Sequence, residues 1–142
     1  MRPQLRAAWI LTALALAVRP APARVDIVAI VSAKSSVQTL TTPQVADIFL
    51  GKSSRFPDGA KAVPLDQPEG SAARDEFYAT FAGKSAAQMK AHWSKIIFTG
   101  RGQPPDEVPD SAAARKRVAE DPNAIAYIER TLADDSVRVV AP

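Results

Sequence analysis

Apolar residues follow two different spacings along the chain, and these spacings predict where strands and helices lie. Residues 25–31 form a nearly continuous apolar run rich in β-branched side chains. Such a run is typical of a strand that is buried on both faces of a sheet. Shorter apolar runs at residues 62–65, 124–128 and 137–140 predict three further strands.

Between these runs, apolar residues recur at intervals of three and four, which predicts helices with one core-facing side. The predicted helix starts are polar caps at Thr41 or Thr42, Ser71, Ser85, and Asp110 or Ser111. The predicted core-facing residues are Val45, Ile48, Phe49, Phe77, Phe81, Met89, Trp93, Ile96, Ile97, Ala114 and Val118. Gly51 and Gly83 are predicted to end the first two helices. Because strands and helices alternate, we predict an α/β domain.

The beginning of the chain has a different character. Arg2 and Arg6 precede an apolar run over residues 7–18, and the segment 21–23 has the small-residue pattern of a cleavage site. This combination is typical of a secretory signal peptide. The alternative is a membrane anchor, but the run has 12 residues, whereas a membrane span needs about 20. We predict a signal peptide at residues 1–23, cleaved near Ala23, and a single exported domain at residues 24–142.

Removal of this segment changes the charge of the protein. The whole chain has 18 basic and 15 acidic residues, a net charge of +3. Arg2, Arg6 and Arg19 all lie in the predicted signal peptide, which contains no acidic residue, so the remaining chain is neutral. A neutral domain gives no electrostatic reason to expect nucleic acid as a partner.

The residue types that catalysis and metal binding need are scarce. The chain has no cysteine and one histidine, His92, so disulfides and most common zinc sites are excluded. A serine nucleophile needs a neighbouring base, and the sequence contains neither a nucleophile-elbow motif nor a phosphate-binding loop with its lysine. We therefore predict no catalytic residue, no metal and no cofactor, and that the protein is not an enzyme.

One segment is a candidate for ligand binding. The strand predicted at residues 62–65 leads into a turn over residues 66–70, and Ser71 then begins a helix. The first N–H groups of a helix have no partner within it and can hold an anion. The alternative is that Ser71 only caps the helix, while Asp75 and Glu76 interact with the helix dipole.

Three segments, taken in order, resemble the phosphate-binding, periplasmic substrate-binding proteins of ABC transporters. The matching residues are Leu40, Thr41, Gln44 and residues 48–52, then Glu69, Gly70, Ser71, Arg74 and Phe77, and finally residues 122–128. The resemblance covers about residues 25–140. It implies a single lobe of the type II periplasmic-binding-protein-like fold, with a mixed β-sheet flanked by helices. It also implies a periplasmic location and a membrane transporter or another envelope protein as partner.

The same resemblance implies a binding site for phosphate or a similar small oxyanion. Its implied residues are Glu69, Gly70, Ser71, Ala72, Ala73 and Arg74. Ser71 would donate its hydroxyl, and Glu69 could accept the proton of monohydrogen phosphate, a contact that sulfate cannot make.

The turn departs from the family's pattern at three positions. Gln67 stands where the family has arginine, Ala72 replaces a glycine and Ala73 replaces a threonine. The chain is also about half the family's usual length, so a second wall of the site would have to come from a homodimer or a partner. Two hypotheses follow: an exported phosphate-binding protein, or an envelope interaction module that keeps the fold and has lost ligand binding.

Overall fold

A computed structural model describes residues 17–18 and 24–142. The predicted signal peptide, apart from residues 17 and 18, lies outside the described residues and stays a prediction. Among the helices in the described part of the chain, none has the length and apolar character that crossing a membrane requires.

The described residues form one five-stranded mixed sheet, as the resemblance implied. Its strands are β1 (Ile27–Ser32), β2 (Val63–Asp66), β3 (Asp106–Glu107), β4 (Ala124–Glu129) and β5 (Val137–Ala141). They lie in the order β3-β2-β4-β1-β5. Strand β2 is parallel to β3 and β4, whereas β1 is antiparallel to β4 and β5. The sequence pattern did not predict β3, because its two exposed acidic residues form no apolar run.

Four α-helices join these strands, and all four begin where the sequence predicts. They are α1 (Thr42–Phe49), α2 (Ala72–Phe77), α3 (Ala86–Phe98) and α4 (Ser111–Glu120), capped by Thr41, Ser71, Ser85 and Asp110. Helix α2 continues into a π-helical turn (Tyr78–Ala82) and stops at Gly83, whose φ is +62°. A 3-10 turn (Arg130–Leu132) follows β4.

Helices cover both faces of the sheet. Alternate residues of β1 point to opposite sides: Ala29 and Val31 join a core cluster with α1, α2 and α3, while Val28 and Ile30 join one with α4. All six residues of β1 are buried, which confirms the prediction of a strand covered on both faces. The fold is therefore a three-layer α/β lobe built on a mixed sheet.

The prediction that Ile97 belongs to the core is wrong. Ile97 is 55% exposed, whereas Met89 and Trp93 are buried and Ile96 is half-buried. Met89, Trp93 and Ile96 follow spacings of four and three, which already complete one face of α3. Ile97 is turned by about 100° from Ile96 and lies outside that face.

Candidate functional site

The predicted ligand turn lies directly after β2. The N–H of Ser71 donates to the carbonyl oxygen of Pro68 at 3.1 Å, which closes a four-residue turn. Gly70 occupies its third position with a φ of +90°, a conformation that a type II turn requires there and that glycine adopts without strain. Glu69 and Gly70 are exposed at the tip of the turn.

The first turn of α2 leaves two backbone donors unused. The hydroxyl oxygen of Ser71 accepts the N–H of Arg74 at 3.2 Å, so this serine caps the helix as predicted. The N–H groups of Ala72 and Ala73 have no acceptor among the described residues, because the first N–H groups of a helix lack intrahelical partners. The Ser71 hydroxyl still has its own hydrogen to donate.

Directly beneath the turn lies a buried carboxylate. Asp66 is only 6% exposed, and its two oxygens accept three hydrogen bonds and form one ion pair. Tyr78 donates its hydroxyl to Oδ2 at 2.6 Å. Tyr127 donates its hydroxyl to Oδ1, and the Gln67 N–H donates to the same oxygen at 2.9 Å. The Nε of Arg74 lies 3.5 Å from Oδ1. A buried charge with this many donors is compensated inside the fold.

Arg74 is thus held from two sides. Its side chain is 11% exposed and pairs with Asp66, and its guanidinium carbon lies 5.1 Å from the centre of the Tyr78 ring. A cation over an aromatic ring at this distance is favourable. The guanidinium is therefore a fixed charge at the base of the turn.

Gln67, which stands where the family has arginine, has a structural role. Its side chain is buried, and its Nε2 donates to the hydroxyl oxygen of Ser111 and to the carbonyl oxygen of Tyr127, both at 3.0 Å. These bonds tie the turn to the start of α4 and to β4. Gln67 consequently points into the fold and not toward a ligand at the turn.

The two tyrosines of this network are strongly perturbed. Burial, followed by the negative charge of Asp66 and the hydrogen bond to it, raises the pKa of Tyr78 well above its ordinary value. The same causes, in the same order, raise the pKa of Tyr127. Both hydroxyls therefore remain protonated donors at any physiological pH.

Of the predicted site residues, Glu69, Gly70 and Ser71 lie in the turn, and Ala72, Ala73 and Arg74 form the first turn of α2. Sequence reasoning misses the polar layer beneath them. The sequence places Asp66 only in the turn and predicts no polar role for Tyr78 or Tyr127. The sequence does contain a signal for this network: a carboxylate at the end of a predicted strand and two tyrosines in apolar segments. No group of three or more metal-ligating side chains occurs in the part of the chain that the structure describes.

This lobe, with its turn between a strand and a helix, has the fold of phosphate ABC transporter substrate-binding proteins. One such protein from Clostridium perfringens, solved with bound phosphate, is 26% identical, with a TM-score of 0.64 over 81% of this chain and 44% of that protein. An ABC-type phosphate transport receptor from Vibrio cholerae is 16% identical, with a TM-score of 0.63 over 81% of this chain and 45% of the receptor. PstS from Borrelia burgdorferi is 12% identical, with a TM-score of 0.54 over 82% and 46%, respectively.

The chain spans less than half the length of each of these structures. The second and third likenesses show the fold alone. The proteins that the chain resembles are transport receptors, which are not enzymes, in agreement with the prediction that the chain is not an enzyme. No protein-family model and no curated protein sequence matches the chain.

Proposed function

We propose that this chain is an exported solute-binding lobe of the phosphate ABC-transport type, which binds phosphate or a similar oxyanion at residues 69–74. The observation that carries the proposal is that the N–H groups of Ala72 and Ala73, next to the Ser71 hydroxyl, find no acceptor in the described part of the chain. The fold supports it, because the lobe matches part of a protein that was solved with bound phosphate. The N-terminal signal-peptide pattern supports export to the periplasm.

Each group at the turn has a distinct role in this proposal. The two N–H groups and the Ser71 hydroxyl donate to the oxyanion. Arg74 supplies positive charge from below, although Asp66 neutralises part of it. Glu69 is exposed at the tip and accepts the proton of monohydrogen phosphate. That contact would favour phosphate over sulfate.

The expected affinity of the lone lobe is low. Three hydrogen bonds at about 0.5–1.5 kcal/mol each supply only a few kcal/mol, and about 4 kcal/mol corresponds to a Kd of roughly 1 mM. A second wall of the binding site would raise this affinity. We propose that a second copy of the chain, or a transporter or other envelope partner, supplies that wall.

Isothermal titration of the full chain with phosphate tests the proposal. We expect saturable heat at millimolar phosphate, less with sulfate, and none in Ser71→Ala. The matched control is Ser85→Ala, because Ser85 caps α3 with the same serine-to-N–H distance of 3.2 Å. It loses a comparable cap, worth about 1 kcal/mol, and should leave phosphate binding unchanged. Silence with phosphate, arsenate and sulfate would contradict the proposal.

A second candidate function has its own supporting observation. Asp66 already occupies Arg74, and Gln67 is buried in structural bonds, so both side chains serve the fold. These two structural roles favour the alternative function, an envelope interaction module that has this fold and does not bind an oxyanion. A specific partner captured equally well with and without phosphate, together with silent titrations, would support this function over the first.

A further inference from the structure

A concave site lies at the amino end of β2, away from the turn that follows its carboxyl end. A groove of about 590 Å³ is formed by the start of β2, the segment after α1, the middle of α3 and the loop before β3. Pockets that bind small organic ligands have volumes of roughly 300–1,000 Å³. The turn at residues 69–74 follows the other end of the strand and does not line this groove.

Three cations line the groove, and we call it the basic groove. Lys52, Lys61 and Arg101 have exposed side chains, and the one acidic residue among the groove's lining is Asp106. In the described part of the chain, none of the three cations forms an ion pair or a side-chain hydrogen bond. Because the chain after residue 23 is neutral overall, this is a local concentration of positive charge.

The wall of the basic groove is apolar and fixed in place. Trp93 is 7% exposed, and its ring packs so closely on Gly51 that a Cβ there would lie 3.0 Å from Cη2. Ile48, Val63 and Ile96 complete this wall. The Nε2–H of His92 donates to the carbonyl oxygen of Leu50 at 2.9 Å, which joins α3 to the end of α1.

Two polar groups at the groove have no partner among the described residues. The indole N–H of Trp93 is buried without an acceptor, which is uncommon for a buried donor. The Ser54 side chain also forms no hydrogen bond there. The groove thus offers unpaired cations, the exposed Ser54 hydroxyl and an apolar wall, whereas the indole N–H is enclosed by the protein.

We infer that the basic groove binds an organic anion with an aromatic or aliphatic body. The acidic group of this ligand pairs with Lys52, Lys61 and Arg101, while its apolar body packs against Trp93 and its neighbours. Inorganic phosphate would leave the apolar wall unused, and a neutral hydrocarbon would leave the cations unused. The inference is independent of the oxyanion turn.

Fluorescence titration with anilinonaphthalene sulfonate, an aromatic anion, tests the inference. In the full chain carrying Trp9→Phe, Trp93 is the single tryptophan, so energy transfer from Trp93 shows that the probe binds to this domain, and the variants described below locate it at the groove. We expect saturable one-to-one binding with such transfer. Phenylnaphthylamine, which has the same rings without the sulfonate, should bind roughly tenfold more weakly, because each of three exposed cations contributes about two- to threefold.

Charge variants and a surface control complete the test. Lys52→Gln, Lys61→Gln and Arg101→Gln together should weaken binding of the sulfonate probe by roughly tenfold. The matched control changes three exposed lysines elsewhere, Lys34, Lys90 and Lys116, to glutamine and should leave binding within about twofold.

The competing explanation is adsorption of the probe to exposed Phe98, which is 92% accessible. Phe98→Ser should therefore bind the probe as the parent chain does. Equal affinity in both triple variants, loss of binding in Phe98→Ser, or absence of energy transfer from Trp93 would each overturn the inference.

Discussion

The two ends of strand β2 differ in how their polar groups are satisfied. At its carboxyl end, the Asp66 carboxylate, two tyrosine hydroxyls and the Gln67 amide are buried and bonded to one another. At its amino end, Lys52, Lys61 and Arg101 line an open groove and form no ion pair in the described chain.

This difference separates side chains that build the fold from those that remain available to a ligand. Buried polar groups must find partners inside the protein, because an unpaired one loses its bonds to water without replacement. The side chains at the carboxyl end of β2 therefore stabilise the fold. Ligand binding at that end would depend mainly on backbone N–H groups. Exposed lysines remain solvated and lose little by having no partner.

The largest expected effect on stability comes from removing the Asp66 carboxylate at the carboxyl end of β2. Asp66→Ala leaves Arg74 and two tyrosine hydroxyls without their acceptor, so we expect the free energy of unfolding to fall by about 3–5 kcal/mol. Urea denaturation followed by circular dichroism measures it. Asp47→Ala, at an exposed position on α1, is the control and should change stability by less than about 0.5 kcal/mol. A loss below about 1 kcal/mol in Asp66→Ala would contradict the assigned role of the network.

High pH should weaken the same end of the strand. The folded-state pKa of both Tyr78 and Tyr127 is raised, so above a pH of about 10 the unfolded chain loses tyrosine protons that the folded chain keeps. Their contribution to stability is therefore complete below pH of about 10 and is lost as the pH rises further.

Ultraviolet titration can follow this directly, because Tyr78 and Tyr127 are the only tyrosines in the chain. Tyrosinate absorbance should appear together with loss of the far-ultraviolet circular dichroism, and not before it. In Tyr78→Phe the signal reports Tyr127 alone. Ionisation of either tyrosine at its ordinary pKa in a chain that remains folded would show that these hydroxyls are not buried donors.

The smallest effect on stability is expected at the amino end of β2, where the basic groove lies. The triple variant Lys52→Gln, Lys61→Gln and Arg101→Gln removes no intramolecular bond in the described structure, so its free energy of unfolding should stay within about 0.5 kcal/mol of the parent chain. Urea denaturation under the same conditions provides the comparison. Destabilisation near that of Asp66→Ala would show that these cations support the fold and are not held free for a ligand.

Much of the lobe follows from local patterns. Thr41 and Ser85 cap their helices, each with a glutamine three residues later that completes a capping box, and both starts can be predicted from a few residues. The buried strand β1 is predictable from its apolar run. Strand β3 is not, because its pairing with Leu65 and Asp66 depends on where the long loop returns to the sheet.

The candidate sites divide in the same way. The turn at residues 69–74 could be located from a glycine and a capping serine, although binding there remains a proposal. From the sequence, Asp66 is indistinguishable from an ordinary turn residue. Gln67 indicates only that a ligand-binding cation has been lost. Both assignments needed the positions of Tyr127 and Ser111, which lie far away in the sequence.

The positions of four strands, of the helix caps and of the helix-ending glycines were determined by the sequence alone, because each depends on interactions within a few residues. The buried carboxylate and the basic groove were decided only by the tertiary structure. Tyr78 and Tyr127 reach Asp66 from 12 and 61 residues away, and the groove needs α1, β2, α3 and the loop before β3 to meet. Such convergence comes from packing two faces of one sheet, which no local pattern specifies.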